Sequence, residues 1–311
     1  MTSTAARRTD ITPGSLRAWA VAVRPRTLWI AAVPVVAGTS LAWLHGADVV
    51  PWVAALALVA SILMQVVTNL QNDVGYTARG LETGQRVGLP RATAQGLLKH
   101  AEVKRAIVSA VAAALLVGFP LMLHSGVAVL AIGLSSLLAA LAYMGGPRPI
   151  AYTPLGELTV FVFFGLVAVL GTYFLHAGAG GVAVWIVAAA IGMHAAAVLA
   201  VNNHRDAHHD ALTGRQTFAA RFGPAASARL FALLLWLPFL LIPALVAIET
   251  GPWLAAPLVL LPAALRLQRD FSRCGGGLAF NDILMRTVKL ELAFGMLVSA
   301  GAIMQRALAG P

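Results

Sequence analysis

Nine apolar runs of roughly bilayer-crossing length divide this 311-residue chain and fix what it can become. They cover residues 27–44, 51–70, 106–123, 127–144, 156–175, 182–201, 230–248, 252–266 and 288–305 and are nearly devoid of charge. A helix needs about 20 apolar residues to cross the hydrocarbon core. Lipid satisfies no backbone N–H or C=O, so runs of this length are predicted to be transmembrane helices. Only 11% of the residues are charged, against about a quarter in a soluble domain. The expected fold is all-α, a polytopic membrane protein of about nine transmembrane helices with the lipid bilayer as a partner. The eighth run is short and holds Pro257 and Pro262, so it is expected to be kinked or tilted.

The basic residues give the helices a direction. With the N-terminus cytoplasmic, Arg7, Arg8, Arg17, Arg24 and Arg26 lie in an N-terminal arm over residues 1–26. The loops after the second, fourth, sixth and eighth runs hold nearly all the others. Of 22 Lys and Arg residues, only Arg306 falls outside this face, the bias expected of cytoplasmic loops. The arm lacks the apolar stretch of a cleaved leader, so the first run is expected to remain as an anchor. The organisation is then the arm and a single transmembrane domain over 27–311. A net charge of +10 could suit nucleic acid, but its confinement to one membrane face argues against a nucleic-acid partner. The single cysteine, Cys274, excludes an internal disulfide. No Cys/His group has zinc spacing, and His208 and His209 read as loop residues. The outer connections are short, whereas the polar loops 71–104, 202–229 and 267–287 are long. Chemistry is expected at the cytoplasmic end.

Two acidic motifs open two of those loops: Asn69-Leu70-Gln71-Asn72-Asp73 and Asn202-Asn203-His204-Arg205-Asp206, the second continuing to Asp210. A charge at membrane depth costs a few kcal/mol or more, which makes it a functional-site hypothesis by default. Asn202, Asp206 and Asp210 are spaced i, i+4, i+8, one polar stripe on a helix. Like charges on neighbouring turns repel unless a cation sits between them. Mg²⁺ takes oxygen ligands and is often shared between one or two carboxylates and substrate phosphates. Arg215 and Arg221 supply partners for phosphate oxygens. In the first loop, Asp73 is followed by Glu82 and by Arg79, Arg86 and Arg91. Asp73, Glu82, Asp206 and Asp210 are the candidate metal ligands. The spacing of Asn four residues before Asp in both motifs is a weak internal echo.

These motifs, with Arg24-Pro25-Arg26-Thr27-Leu28, Arg148-Pro149, the run from Leu155-Gly156-Glu157 to Gly171-Thr172-Tyr173, Gly214-Arg215-Gln216-Thr217 and Asn281…Leu284…Thr287, resemble the UbiA-type intramembrane aromatic prenyltransferases. The likeness covers nearly the whole chain, and the Gly-Glu…Val-Phe-Phe-Gly run and Asn-Asn-x-Arg-Asp point to its naphthoate branch. It implies helices around a central cavity and a Mg²⁺-dependent prenyl transfer in the cell inner membrane. A polyprenyl diphosphate would alkylate an aromatic acid acceptor, 1,4-dihydroxy-2-naphthoate, with loss of its carboxylate, in menaquinone biosynthesis. It implies catalytic roles for Asp73, Asp206 and Asp210, and substrate contacts from Asn69, Asn72, Arg91, Arg148, Glu157, Asn202 and Arg215. One position departs from the family: where its first motif carries a second Asp, this chain has Tyr76. That departure allows reduced activity, a shifted substrate or one metal instead of two.

Other readings of the same residues stay open. Arg148 and Arg91 are each a topology anchor or a diphosphate ligand, and Asn281 is an N-cap or a site residue. Another acceptor such as 4-hydroxybenzoate fits the same chemistry. A transporter also buries Asp and Asn, but near mid-membrane in broken helices, whereas these acids lie at the ends of runs.

Overall fold

The apolar runs fold as helices that shuttle between two polar ends. The computed structural model describes residues 11–81, 88 and 91–309. The helices are α1 (Leu16–Val23), α2 (Trp29–Leu44), α3 (Pro51–Ala78), α4 (His100–Ser125), α5 (Val127–Met144), α6 (Gly156–Ala177), α7 (Val182–Leu212) and α8 (Phe218–Glu249). A 3₁₀ helix (Pro252–Leu260) then runs into α9 (Leu261–Arg273), and α10 is Ala279–Ala309. Among the described residues, seven helices are long and apolar enough to cross a membrane, and α1 with α2, bent by 42°, make an eighth. The chain is a multi-pass membrane protein.

Contacts at the two ends settle how often the chain crosses. At one end, His45 after α2 hydrogen-bonds Tyr173 of α6 (2.8 Å) and Glu249 of α8 (3.0 Å). Gln305 of α10 donates to the Glu249 carbonyl, and Ser125 of α4 to that of Leu175. At the other end, Asn69 of α3 holds the carbonyl of Val23, Asn203 of α7 holds Glu157, and Arg205 holds Asn281 of α10. The segment from Gly251 to Asn281 joins opposite ends, so the short eighth run does traverse the bundle. The two prolines named from the sequence lie in it: Pro257 inside the 3₁₀ stretch and Pro262 in the first turn of α9.

The arm is not apart from the bundle. Ser15 caps α1 by accepting from the Ala18 amide, and Ala18 and Ala22 are buried with Val67, Leu70 and Val74 of α3. The larger core joins α2, α7, α8 and α10 around Phe231, Phe294, Leu235 and Ile191. α6 differs from its neighbours: Phe161–Leu170 is wound as a π-helix. In lipid, tight helix contact rests on small residues that let backbones approach. A Cβ on Gly165 of that stretch would lie 2.5 Å from the Cα of Gly192 on α7, and 2.6 Å from the Ala188 carbonyl. The widened π turns therefore sit against α7 at a glycine–glycine crossing.

Gly165→Ala should force α6 and α7 apart and destabilise the protein by about 1–3 kcal/mol, the usual range for overpacking. Gly181→Ala, whose Cβ meets open space, should leave stability unchanged. Thermal unfolding in detergent reads both.

Candidate functional site

The inner ends of α3 and α7 face one hollow. It is a cavity of about 530 Å³ lined by α3, α4, α5, α6 and α7. Most of its wall is apolar, with Phe119, Leu134, Phe163, Phe164 and Leu199 among the lining side chains. Its polar end carries Asn69, Asn72, Tyr76, Asn202 and Asn203 with Arg24, Arg91 and Arg215. Among the described residues, no carboxylate lines it. The acids of both motifs stand one layer behind that wall and hold it in shape.

Asn69 sets the first arginine. Its amide donates to the Val23 carbonyl (2.7 Å) and reaches Thr27 Oγ1 (3.3 Å). This ties α3 to the turn at Arg24, whose backbone is left-handed at φ 57°. Asp73 sets the second. Its two carboxylate oxygens accept from the amides of Ala92 (2.7 Å) and Thr93 (2.9 Å), and from Thr93 Oγ1 (2.6 Å). The residue is fully buried. Asp73 thus holds the turn that begins at Arg91, and its oxygens are committed to main chain that cannot swing away. These bonds place the turn that carries Arg91 and leave lone-pair capacity on the Asp73 carboxylate unused by them.

The stripe on α7 works through arginines. Arg205 makes a two-pronged pair with Asp206 (2.9 and 2.7 Å) and also donates to Asn202 and Asn281. Asn281 therefore belongs to this network. Asp210 accepts from Arg215 (2.5 Å) and from Thr217 Oγ1 (3.2 Å). Thr217 in turn caps α8 by accepting from the Ala220 amide. Arg215 also donates twice to the Ala151 carbonyl. Burial works against the charge on Arg215, but Tyr76 and Asp210 outweigh it and hold its pKa above the ordinary value. In the neighbouring loop, burial raises the Tyr152 phenol.

The Tyr76 ring faces two of the three cavity arginines, with Arg91 at 4.2 Å and Arg215 at 4.8 Å from its centroid. Next to it, the buried Oδ1 of Asn72 has no hydrogen-bond partner. Glu157 is buried behind Asn203, which donates to its Oε1 at 3.0 Å, while its Oε2 has none. Gly156 keeps the space beside them open: a Cβ there would stand 3.5 Å from the Tyr143 hydroxyl.

Several expectations need correction. Arg148 is exposed on its loop and does not line the cavity. Arg221 is exposed as well, lying over Phe222. His209 is not a loop residue: it is buried on α7 and its Nε2 meets the Leu81 carbonyl at 2.8 Å. Glu82 lies outside the described residues. Arg24 and Tyr143 were not singled out from sequence. The only signal for Arg24 was the Arg-Pro-Arg turn before α2, and Tyr143 gave none.

Among the described residues, no three Asp, Glu, His or Cys side chains gather as a metal site. The donor set still fits a hard cation that arrives with a polyanion. It is all oxygen, it includes the bare Asn72 Oδ1, and Mg²⁺ shared with phosphate needs only one or two carboxylates. Asp206 accepts from the Arg205 side chain, and Asp210 from those of Arg215 and Thr217.

An apolar membrane cavity ending in arginines defines a protein that holds an oily molecule with an anionic head. The UbiA prenyltransferase family matches residues 31–274, and the chain belongs to it. It is 35% identical to 1,4-dihydroxy-2-naphthoate octaprenyltransferase of Escherichia coli, over 93% of this chain and 96% of that one. It is 36% identical to the Mycobacterium tuberculosis protein of the same name, over 93% and 97%. Among solved structures, an apo UbiA homologue from Aeropyrum pernix superposes with a TM-score of 0.66 at 16% identity, covering 89% of this chain and 97% of that one. An Archaeoglobus fulgidus homologue bound to DMAPP and Mg²⁺ gives 0.61 at 16% identity, over 91% and 99%. These two establish the fold.

Asp73→Asn should release the turn that carries Arg91. A buried amide stripped of its acceptor costs about 1–3 kcal/mol. Backbone amides over 91–97 should then exchange at least about tenfold faster by hydrogen–deuterium mass spectrometry. Unchanged exchange there would separate Asp73 from Arg91.

Proposed function

We propose that this protein transfers a polyprenyl group from a polyprenyl diphosphate to 1,4-dihydroxy-2-naphthoate, with loss of the ring carboxylate, in menaquinone biosynthesis. The observation that carries this reading is the cavity: an apolar channel whose polar end presents three arginines and, among the described residues, no acid. The naphthoate acceptor is supported by the names of relatives that match over 93% of the chain. The catalytic end faces the cytoplasm, as the one-sided distribution of Lys and Arg supports.

The arginines supply the driving term. Arg24, Arg91 and Arg215 receive the diphosphate, and their charge grows in value as the allylic C–O bond breaks and the leaving group takes the electron pair. Asp206, Asp210 and Asn72 Oδ1 are the residues that would hold a Mg²⁺ ion, which would supply Lewis-acid stabilisation of the leaving group. The prenyl tail lies along the apolar wall, where Phe163, Phe164 and Leu199 keep water from the allylic carbon. The aromatic acceptor sits beside Tyr143 and Asn203, with Glu157 fixing the Asn203 amide. Its electron-rich ring forms the new C–C bond, and the ring–carboxylate bond then breaks, CO₂ leaving while the bonding pair restores the aromatic ring. Asn202, held by Arg205, closes the polar side. α1 of the arm packs on α3, so that part of the arm and the transmembrane domain act as one unit.

Membranes containing the protein, incubated with a prenyl diphosphate, Mg²⁺ and each candidate aromatic acid, should yield the prenylated, decarboxylated naphthalenediol by mass. Asp206→Ala, which leaves Arg205 without its two-pronged partner, should lower turnover at least about a hundredfold. Product from 4-hydroxybenzoate alone would move the acceptor assignment, and wild-type turnover by Asp206→Ala would remove the stripe on α7 from the chemistry.

A further inference from the structure

We infer that the outward face of α9 binds an acidic phospholipid, its headgroup on Arg266, Arg269 and Arg273 and an acyl chain along Val259, Pro262 and Leu265. The inference goes beyond the enzymatic reading and does not depend on it. It starts from the periodicity of Leu261–Arg273. Ala264, Leu267 and Phe271 recur at i, i+3 and i+7 and are buried. The Phe271 ring stacks on Phe231 of α8, with centroids 4.2 Å apart. At about 100° per residue, Pro262, Leu265, Arg266, Arg269 and Arg273 fall in an arc of about 100° on the opposite side. All five are exposed.

Their order along the axis matches a phospholipid. The 3₁₀ stretch from Pro252 rises about 2.0 Å per residue and α9 about 1.5 Å. Arg266 then stands about 27 Å along the segment and Arg273 about 37 Å, against a hydrocarbon core about 30 Å thick. Val259 (70% exposed) and Leu265 (55%) therefore face acyl chains. Arg266 lies at the border with the headgroups, and Arg269 and Arg273 lie among them. An arginine at that depth keeps its stem along hydrocarbon and its guanidinium in the polar layer. The charge on this face is uncompensated. Asp270, the one acid of α9, accepts from Arg286 of α10 at 2.7 Å. Among the described residues, Arg266, Arg269 and Arg273 make no ion pair. Three guanidiniums within about 11 Å of helix axis repel one another. A phosphate relieves that repulsion and takes paired N–H donors from the arginine fork. A soluble anion meets the same charge but makes no use of the apolar half of the face.

The test is native mass spectrometry of the full-length protein in micelles, titrated with phosphatidylglycerol or phosphatidylcholine. Each arginine beside an anionic headgroup should add roughly fivefold in affinity. Wild type should therefore bind its first phosphatidylglycerol at least about tenfold more tightly than phosphatidylcholine. Arg266→Gln, Arg269→Gln and Arg273→Gln together should bring that ratio to within about threefold of unity. Lys104→Gln, Arg105→Gln and Arg148→Gln, which remove as much exposed charge elsewhere at the same end, should leave the ratio as in wild type. Val259→Ser with Leu265→Ser should weaken both lipids and keep the ratio. Equal binding of the two lipids by wild type overturns the site, as does a preference that survives the α9 substitutions. A preference lost equally in both triple variants overturns it too, since the lipid would then answer to a diffuse basic field. Full competition by glycerophosphoglycerol, the headgroup without chains, would overturn a lipid as the occupant.

Discussion

Charge buried at the edge of a membrane has to be paired, and that requirement shapes the inner end of this bundle. Arg205 with Asp206 and Arg215 with Asp210 are ion pairs whose side chains are almost wholly out of solvent. Removing one member of such a pair leaves an uncompensated buried charge, which costs about 3–5 kcal/mol. The pairs therefore lock α7, the loop after it and α10 into one arrangement. The same logic runs through Asp73, whose hydrogen bonds bring a loop distant in sequence onto α3. Glu291 is the exception: it is buried and, among the described residues, neither of its oxygens has a hydrogen-bond partner.

The consequence is a site built in two layers. Carboxylates stand behind and hold; arginines and asparagines stand in front and face the cavity. A wall of guanidiniums suits an anionic head, and the apolar remainder of the cavity suits a hydrocarbon tail. In such a low-dielectric setting, fixed donors act on a departing anion more strongly than they would in water. The acids contribute by orientation in this picture, with Asp206 and Asp210 also able to turn toward a cation when their arginines change rotamer.

The spans were readable in the sequence, because hydrocarbon length is a one-dimensional signal. The ninth crossing was readable for the same reason, although its prolines convert part of it to 3₁₀ helix. The partners of the acids were not. Nothing in the spacing of Asp73 says that it meets the amides of 92 and 93 across a loop, or that Tyr76 stands between Arg91 and Arg215. Periodicity reports which face a residue occupies and not which distant turn packs onto that face. Arg148, open in the sequence between a topology anchor and a diphosphate ligand, is left exposed by its short loop. The π-helical stretch of α6 also escaped, since its composition reads as an ordinary apolar helix.

The decisive measurement is an experimental structure of the full-length protein in lipid with an unreactive thio-linked geranyl diphosphate bound. The phosphate oxygens should lie within hydrogen-bond distance of Arg24, Arg91 and Arg215, the tail should run along Phe163, Phe164 and Leu199, and Asp73 should still hold the 92–93 amides. A diphosphate seated elsewhere, or one bound through Asp73 with the arginines turned away, would contradict a site whose charge is carried by its arginine wall.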